Sequence, residues 1–243
     1  MKIVVGLLVL ISVLLAGCGG GGSSGGGGST NADPQGIWSM KNSSGGPAVN
    51  LAILENGETW GIFFTAGKVG GAYYGTTTVS GSNASTTLTE FDFGIRTLPP
   101  ATISGAITPK SSLTLSGSSG SATFTYNSAY DNPAISTAIA GRWSIAGQNF
   151  SSGTIGPLSI NVDSAGAFTV NETNCSIRGN IVPRPGGKSI YNVAVSFTGA
   201  GCGSDIALSG VGTVDTSVSP NQFTSIVANP AKTGGVFFSG VKQ

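Results

Sequence analysis

The amino-acid sequence predicts an all-β protein made of two tandem, antiparallel, up-and-down β-barrel-like lobes of about eight strands each. Three observations predict this fold. Apolar and polar residues alternate with a period of two, glycine-containing turns recur at short intervals, and the second half of the chain repeats the first. Evenly spaced antiparallel strands joined by short turns favour closure into a barrel, which leaves no exposed strand edge. A β-sandwich is the alternative that the alternation leaves open.

An internal repeat with an offset of about 105 residues divides the predicted fold into two lobes. The segment Gly36–Ser39 recurs as Gly141–Ser144, and both read Gly-x-Trp-Ser. Further along the chain, glycines match in two pairs, Gly75 with Gly179 and Gly105 with Gly210. We therefore expect a first lobe over residues 36–133 and a second lobe over residues 134–243.

Trp38 and Trp143 hold equivalent places in this repeat. Either tryptophan offers an aromatic surface on which a ligand can stack. Their equivalence favours a structural role instead, in which each indole fills one end of its own barrel.

A hairpin is predicted after the first strand of each lobe. The first runs through Leu51–Leu54, turns at Asn56-Gly57 and returns as Trp60–Phe64, and Asn-Gly between alternating apolar residues is a strong hairpin signal. The second joins two segments through a turn that ends at Gly166, namely Leu158–Val162 and Phe168–Val170. The strands of the second lobe are expected to centre on Trp143, Ile160, Phe168, Ile177, Val193, Leu208, Phe223 and Phe237. Helical spacing is confined to residues 134–140, at the junction of the lobes.

The composition excludes several classes of function. The chain has no histidine, so Ser-His and Cys-His catalytic pairs and most zinc sites are excluded, and no cofactor or metal is expected. Charged residues make up 9% of the chain, against about 25% in ordinary soluble domains. Without Lys2, ten basic and ten acidic side chains remain. A nucleic-acid partner is therefore not expected, because that affinity depends on clustered basic residues.

The N-terminus has the pattern of an export signal. Lys2 precedes an apolar run, Ile3–Leu15, which is shorter than the ~20 residues that a membrane-spanning helix needs. Leu15-Ala16-Gly17-Cys18 resembles the lipobox of bacterial lipoproteins. That resemblance implies removal of residues 1–17, with cleavage after Gly17, and lipidation of Cys18. An uncleaved anchor with a chance cysteine is the alternative.

The segment from Cys18 to residue 35 is predicted to be a Gly/Ser-rich linker. Gly19–Ser29 is almost pure glycine with serine, a composition that cannot bury apolar surface and behaves as a flexible coil. Gly19 follows the cysteine where enteric lipoproteins retained in the inner membrane have Asp. By resemblance, this points to the bacterial outer membrane, on the periplasmic or the cell-surface side.

Two cysteines remain once Cys18 is lipidated. Cys175 and Cys202 are 27 residues apart in the second lobe. An even number of cysteines in an exported chain predicts a disulfide. We expect a structural bond that ties two neighbouring hairpin ends.

Arg178, Arg184 and Lys188 form the only basic cluster of the sequence and are a candidate site for an anionic partner, such as a lipid headgroup or polysaccharide. A solvated loop is the alternative. Phe63 and Tyr73 are taken as the outward members of two aromatic pairs and as candidates for a partner-binding patch.

Carboxylates suggest a third kind of site. Glu90 and Asp92 are two apart on a predicted strand, so their side chains share a face, as an acid–base pair would require. A solvated strand face is the competing interpretation. Glu55 and Glu58 flank the Asn-Gly turn and are expected to be exposed. Because no other polar group converges on any of these carboxylates, we expect the protein not to be an enzyme.

The lipobox, the glycine linker, two barrel-like lobes and the ending Gly234–Gln243 together resemble a known group. They are similar to surface lipoproteins of Gram-negative bacteria whose lobes are like those of transferrin-binding protein B and factor H-binding protein. The resemblance implies lipocalin-like barrels, exposure on the cell and a binding role for an unknown protein or small-molecule ligand. Three rivals stay open: a periplasm-facing carrier of a small apolar ligand, a carboxylate-dependent hydrolase and a structural envelope component.

Overall fold

A computed structural model of the chain describes residues 30–41, 48–65, 68–93, 96–118, 120–150, 153–202 and 205–243. The predicted signal peptide, its cleavage at Gly17, the lipidation of Cys18 and the linker up to residue 29 lie outside the described residues. No helix in the described part of the chain is long and apolar enough to cross a membrane.

The first barrel is closed, with every strand antiparallel to its neighbours and β1 paired to β8. Its strands are β1 Gly36–Met40, β2 Ala48–Ile53, β3 Glu58–Thr65, β4 Lys68–Ser80, β5 Asn83–Asp92, β6 Arg96–Thr108, β7 Ser112–Gly117 and β8 Gly120–Asn127. A 3-10 turn, Ser128–Asp131, and a one-turn helix, α1 Ser136–Ile139, lead to the second barrel. The helix lies where the sequence predicted helical spacing.

The second barrel is nearly closed, in the sheet order β10-β9-β16-β15-β14-β13-β12-β11. Its strands are β9 Gly141–Asn149, β10 Thr154–Val162, β11 Ala167–Glu172, β12 Cys175–Pro183, β13 Tyr191–Thr198, β14 Ile206–Asp215, β15 Gln222–Ala228 and β16 Gly235–Lys242. Each of the eight predicted strand centres lies in its own strand. The structure therefore confirms two tandem antiparallel barrels and excludes the sandwich.

The hairpin prediction is confirmed for the first barrel and is wrong in part for the second. β2 and β3 pair along their length. In the second barrel the turn closes, because the Asp163 N–H donates to the Ala167 carbonyl at 2.9 Å, but no ladder joins β10 to β11. The register of β10 against β9 shifts between Ile155 and Leu158, around Pro157. Proline has no N–H for a ladder and is confined to edges and bulges, which fits the place of Pro157 at this shift in register.

The repeated glycines mark places where neighbouring strands approach closely inside each barrel. A Cβ built on Gly105 would overlap the Thr114 carbonyl oxygen, and one on Gly210 would overlap the Ile226 carbonyl oxygen. Both glycines face the interior, in β6 and β14. The repeat therefore preserves the strand curvature that closing a small barrel requires.

Trp38 and Trp143 lie wholly buried in the interiors of their own barrels. Each indole N–H donates to the carbonyl four residues earlier, from Trp38 to Pro34 at 3.0 Å and from Trp143 to Ile139 at 2.6 Å. The same bond at equivalent positions fits the structural role that the repeat favoured.

A third apolar core lies between the barrels, formed by their outward faces. Phe150, which follows β9, packs against Phe91 and Phe93 of the first barrel, with ring centroids 4.6 and 5.3 Å apart. The other buried members are Leu54, Trp60, Ile62, Ala72, Tyr130, Ile190, Val211, Ile226, Ala228 and Phe237. Residues Asn31–Gln243 consequently form one compact unit rather than two independent lobes.

The predicted disulfide between Cys175 and Cys202 is confirmed, with their Cα atoms 5.0 Å apart. It joins the start of β12 to the 3-10 turn Ala200–Cys202 that follows β13. The bond therefore ties neighbouring strand ends of the second barrel, as expected.

Candidate functional site

The candidate site is a cleft between the two barrels, with a volume of about 430 Å³. One wall is β3 of the first barrel, which contributes Glu58 and Trp60. The other wall is the outward face of β12–β14, with the β15–β16 turn as a rim. Side chains from the second barrel that line it are Asn180, Val182, Arg184, Asn192, Ala194, Ser209, Val211 and Lys232. We call this space the inter-barrel cleft.

Lys232 is held by an ordered turn between β15 and β16. The Asn229 N–H donates to Gly234 O, and the Lys232 N–H donates to Asn229 O, each at 2.9 Å. The Asn229 side chain accepts from the Thr233 N–H at 2.9 Å. Within this turn Lys232 has a φ of 55°, a left-handed conformation that non-glycine residues seldom adopt. The turn therefore fixes the direction in which the lysine side chain leaves the backbone.

The Lys232 ammonium lies over two aromatic rings of the first barrel. Its nitrogen is 4.7 Å from the centroid of Trp60 and 4.8 Å from that of Tyr74, and the two rings meet edge to face. Such contacts stabilise a cation through the negative face of each ring. Burial lowers the pKa of Lys232, and the nearby Glu58 carboxylate opposes that change.

Trp60 has a second unusual property. Its side chain is 2% exposed, and the indole N–H is buried with no hydrogen-bond partner among the described residues. Trp38 and Trp143 satisfy the same group with a backbone carbonyl. A buried polar group without a partner costs free energy, and such groups are rare in folded proteins.

Arg184 closes the other side of the inter-barrel cleft. It donates to Glu55 of the first barrel through Nε at 3.0 Å and Nη2 at 2.6 Å, and through Nη1 to Asn192 at 2.8 Å. This two-point contact with the carboxylate lowers the pKa of Glu55 and raises that of Arg184. Glu55 is exposed, as expected, whereas Glu58 is only half exposed because it lines the cleft.

The predicted basic cluster is not a free surface. Lys188 pairs with Asp131 at 2.8 Å, and Arg184 pairs with Glu55, so two of its three members connect the barrels. Arg178 lies exposed on the outward face of β12, level with Thr169 and Ser196. The action of the three on an anionic partner stays a prediction, and two of them already have a carboxylate partner, in Glu55 and in Asp131.

The assignment of Phe63 and Tyr73 to the outer surface is also wrong. In β3 and β4 these residues pair with Val49 and Gly61, which face the barrel interior. Both rings pack against the interior cluster, with centroids 5.4 Å apart. Their neighbours Phe64 and Tyr74 face the second barrel instead. Alternation identifies two faces of a strand, but it does not say which face is inside when both are apolar.

Glu90 and Asp92 share a face of β5, as the spacing predicted, and this face points toward the interior of the first barrel. Glu90 is level with Tyr73, and Asp92 is level with Gly71. Burial and then these two carboxylates raise the pKa of Tyr73. Both carboxylates are half exposed, and the choice between an acid–base pair and a solvated strand face stays a prediction.

The residues that sequence reasoning missed are Trp60, Lys232 and Asn192. They come from β3, the β15–β16 turn and β13, and only the packing of the barrels brings them together. No group of three or more potential metal ligands occurs in the described part of the chain. Comparison of the chain with protein-family models, curated proteins and solved structures found no match. The fold and the cleft thus define the class, a two-barrel all-β protein with a cleft where its barrels meet.

Proposed function

We propose that this chain is a lipid-anchored outer-membrane lipoprotein with a non-catalytic binding role, and that its two barrels lie on the cell surface. The inter-barrel cleft is the observation that carries the binding role. Its volume falls within the range of about 300–1,000 Å³ typical of small-ligand sites. The lining offers amides, a hydroxyl, two cations and one carboxylate, a set suited to hydrogen bonding rather than to nucleophilic chemistry.

The anchor rests on Leu15–Cys18 and on the glycine linker that follows. One acyl chain holds a protein to a membrane only marginally, whereas two or more hold it stably. Lipoproteins that this N-terminus resembles carry three chains. The linker then lets the barrels stand away from the membrane, which leaves the inter-barrel cleft open to partners.

Protease treatment of intact cells tests the location. We expect an antibody against the barrels to detect their loss on intact cells, at the same protease dose that digests them in lysed cells. A periplasmic protein that stays uncut in intact cells controls for leakage. Protection of the barrels until lysis would refute the surface location and with it this proposed function.

A carrier of a small apolar ligand is the second candidate, and one observation favours it. Inside the second barrel, β10 and β11 do not pair with each other, and both strands line a cavity. The rest of its lining is apolar side chains and Ser225, whose buried hydroxyl has no partner among the described residues. The cavity measures about 30 Å³, room for about two water molecules. A ligand would therefore require side chains to move. Native mass spectrometry that shows a retained apolar molecule would favour the carrier.

A further inference from the structure

We infer that the inter-barrel cleft binds an acidic sugar, with the Lys232 ammonium as the contact for the ligand carboxylate. The inference deepens the proposed binding function and rests on it. It begins with the distribution of charge between the barrels. Arg184–Glu55 and Lys188–Asp131 are complete ion pairs, whereas the Lys232 ammonium has no oxygen partner among the described residues.

Lys232 differs from every other half-buried cation among the described residues. Arg184 and Lys188 have carboxylate partners, and Lys242 donates to the Ala138 carbonyl at 3.0 Å. The Lys232 ammonium makes neither an ion pair nor a hydrogen bond within the described part of the chain. Glu58 is near enough to affect its pKa but lies beyond ion-pair distance. The ammonium, which contacts two rings but no oxygen among the described residues, is therefore available to donate to a ligand.

The ammonium is also positioned before any ligand arrives. The left-handed φ of 55° at Lys232 and the turn from Asn229 to Gly234 fix the base of the side chain. Two ring contacts, at 4.7 and 4.8 Å, fix its end. A free surface lysine loses rotamer freedom when it binds, but a preorganised one has already lost it during folding.

The remaining polar groups suit hydroxyls. The side-chain oxygen Oδ1 of Asn192 accepts a hydrogen bond from Arg184 at 2.8 Å, which leaves the side-chain NH₂ group of Asn192 to donate to a ligand. Asn180 and Ser209 are exposed at the cleft and can each donate and accept. Glu58 supplies an acceptor for a ligand hydroxyl. Donors and acceptors are thus mixed around one unpaired positive charge.

That single charge selects among anions. A phosphate group carries close to two negative charges near neutral pH. One unpaired ammonium matches one carboxylate and would leave part of a phosphate uncompensated. A zwitterionic amino acid with its carboxylate on the Lys232 ammonium would bring a second ammonium close to that charge. Glu58 is the one carboxylate of the lining that could offset it. A sugar that carries one carboxylate and several hydroxyls matches the polar groups of the lining.

Calorimetric titration of the full mature lipoprotein in detergent tests the inference, with glucuronate, glucose and glycine as probes. We expect glucuronate to bind at least about tenfold more tightly than glucose or glycine, because the carboxylate gains a charge-assisted hydrogen bond. Lys232→Met should weaken glucuronate binding by a similar factor. Lys68→Met, at an exposed lysine that makes no ion pair with any described residue, is the matched control and should leave binding unchanged.

A second measurement locates the ligand without a mutation at Lys232. In protein labelled with ¹⁵N at the indole of tryptophan, glucuronate should shift the Trp60 resonance and leave Trp38 and Trp143 in place. Trp60→Phe assigns the resonance. If Lys232→Met fails to fold, the shift of the Trp60 resonance still shows whether glucuronate binds in the inter-barrel cleft.

Four results would each overturn the acidic-sugar inference. They are equal binding of glucose and glucuronate, tighter binding of glycine than of glucuronate, retained glucuronate binding in Lys232→Met, and no binding of any probe. Those failures are distinguishable from failure of the proposed function. Barrels that are digested on intact cells but do not bind glucuronate would refute the ligand class alone. Barrels protected until lysis would refute the surface location whatever the probes show.

Discussion

Replacement of the repeated interior glycines tests the two-barrel architecture. An alanine Cβ at Gly105 would overlap the Thr114 carbonyl oxygen, and one at Gly210 would overlap the Ile226 carbonyl oxygen. In both cases the Cβ would lie well under 3.0 Å from the carbonyl oxygen, a separation that Cβ atoms in real structures essentially never show. The obstacle is backbone in a paired strand, not the end of a flexible side chain, so the strands must move apart.

Overpacking of this kind destabilises by about 1–3 kcal/mol, and occasionally by more. For a domain of this length, 1 kcal/mol shifts the melting temperature by about 2–4 °C. Gly105→Ala and Gly210→Ala should therefore each lower the melting temperature by about 2–12 °C. Urea unfolding monitored by circular dichroism and by fluorescence gives the free energies of unfolding.

Gly156→Ala is the control. A Cβ at Gly156 meets nothing within 4 Å and the residue does not have a positive φ. Its free energy of unfolding should stay within about 0.5 kcal/mol of the parent protein. If Gly105→Ala and Gly210→Ala behave like this control, the close approach of strands in both barrels is not as described, and the structural meaning of the repeat is refuted.

Three further predictions concern the second barrel and the contacts between barrels. Loss of the Cys175–Cys202 bond, by reduction or by paired serine replacement, should cost about 3–4 kcal/mol because it closes a loop of 27 residues. Unchanged urea unfolding of reduced protein would contradict this. Phe150→Ala should cost about 3–5 kcal/mol, since the ring packs into the core between the barrels. A loss below about 1 kcal/mol in chemical denaturation would argue against that core. Hydrogen bonds from Lys188 and then Lys110 lower the pKa of Asp131 to about 2 from its usual 3.8. The stability that this carboxylate adds is thus complete above pH 3.8 and is lost as the pH falls through 2. Asp131→Asn should flatten the acid limb of the stability profile in that window, and an unaltered limb would refute the pairing.

Much of the fold was predictable from the sequence because its signals are local. Alternation and Asn-Gly identified the strands and the first hairpin, and the Gly-x-Trp-Ser repeat identified two lobes. The disulfide followed from an even number of cysteines in a chain with an export signal.

The candidate site was not predictable, because it depends on two surfaces that meet only after folding. Phe63 and Phe64 are both aromatic, so alternation alone did not reveal which one faces the first barrel's interior. Arg184 and Lys188 read as a free basic cluster because their partners, Glu55 and Asp131, are far away in sequence. Lys232 carries no sequence signal at all. Its role depends on a left-handed turn and on rings from the other barrel.

The central claim is a lipid-anchored binding protein, and the most direct test is the mass of the N-terminal peptide from protein extracted from bacterial outer membranes. The account predicts that the chain begins at Cys18 and that this residue carries acyl chains. Cys18→Ala should abolish both the modification and the membrane association. A mature chain that begins elsewhere, or that retains an unmodified Cys18 thiol, would contradict the account.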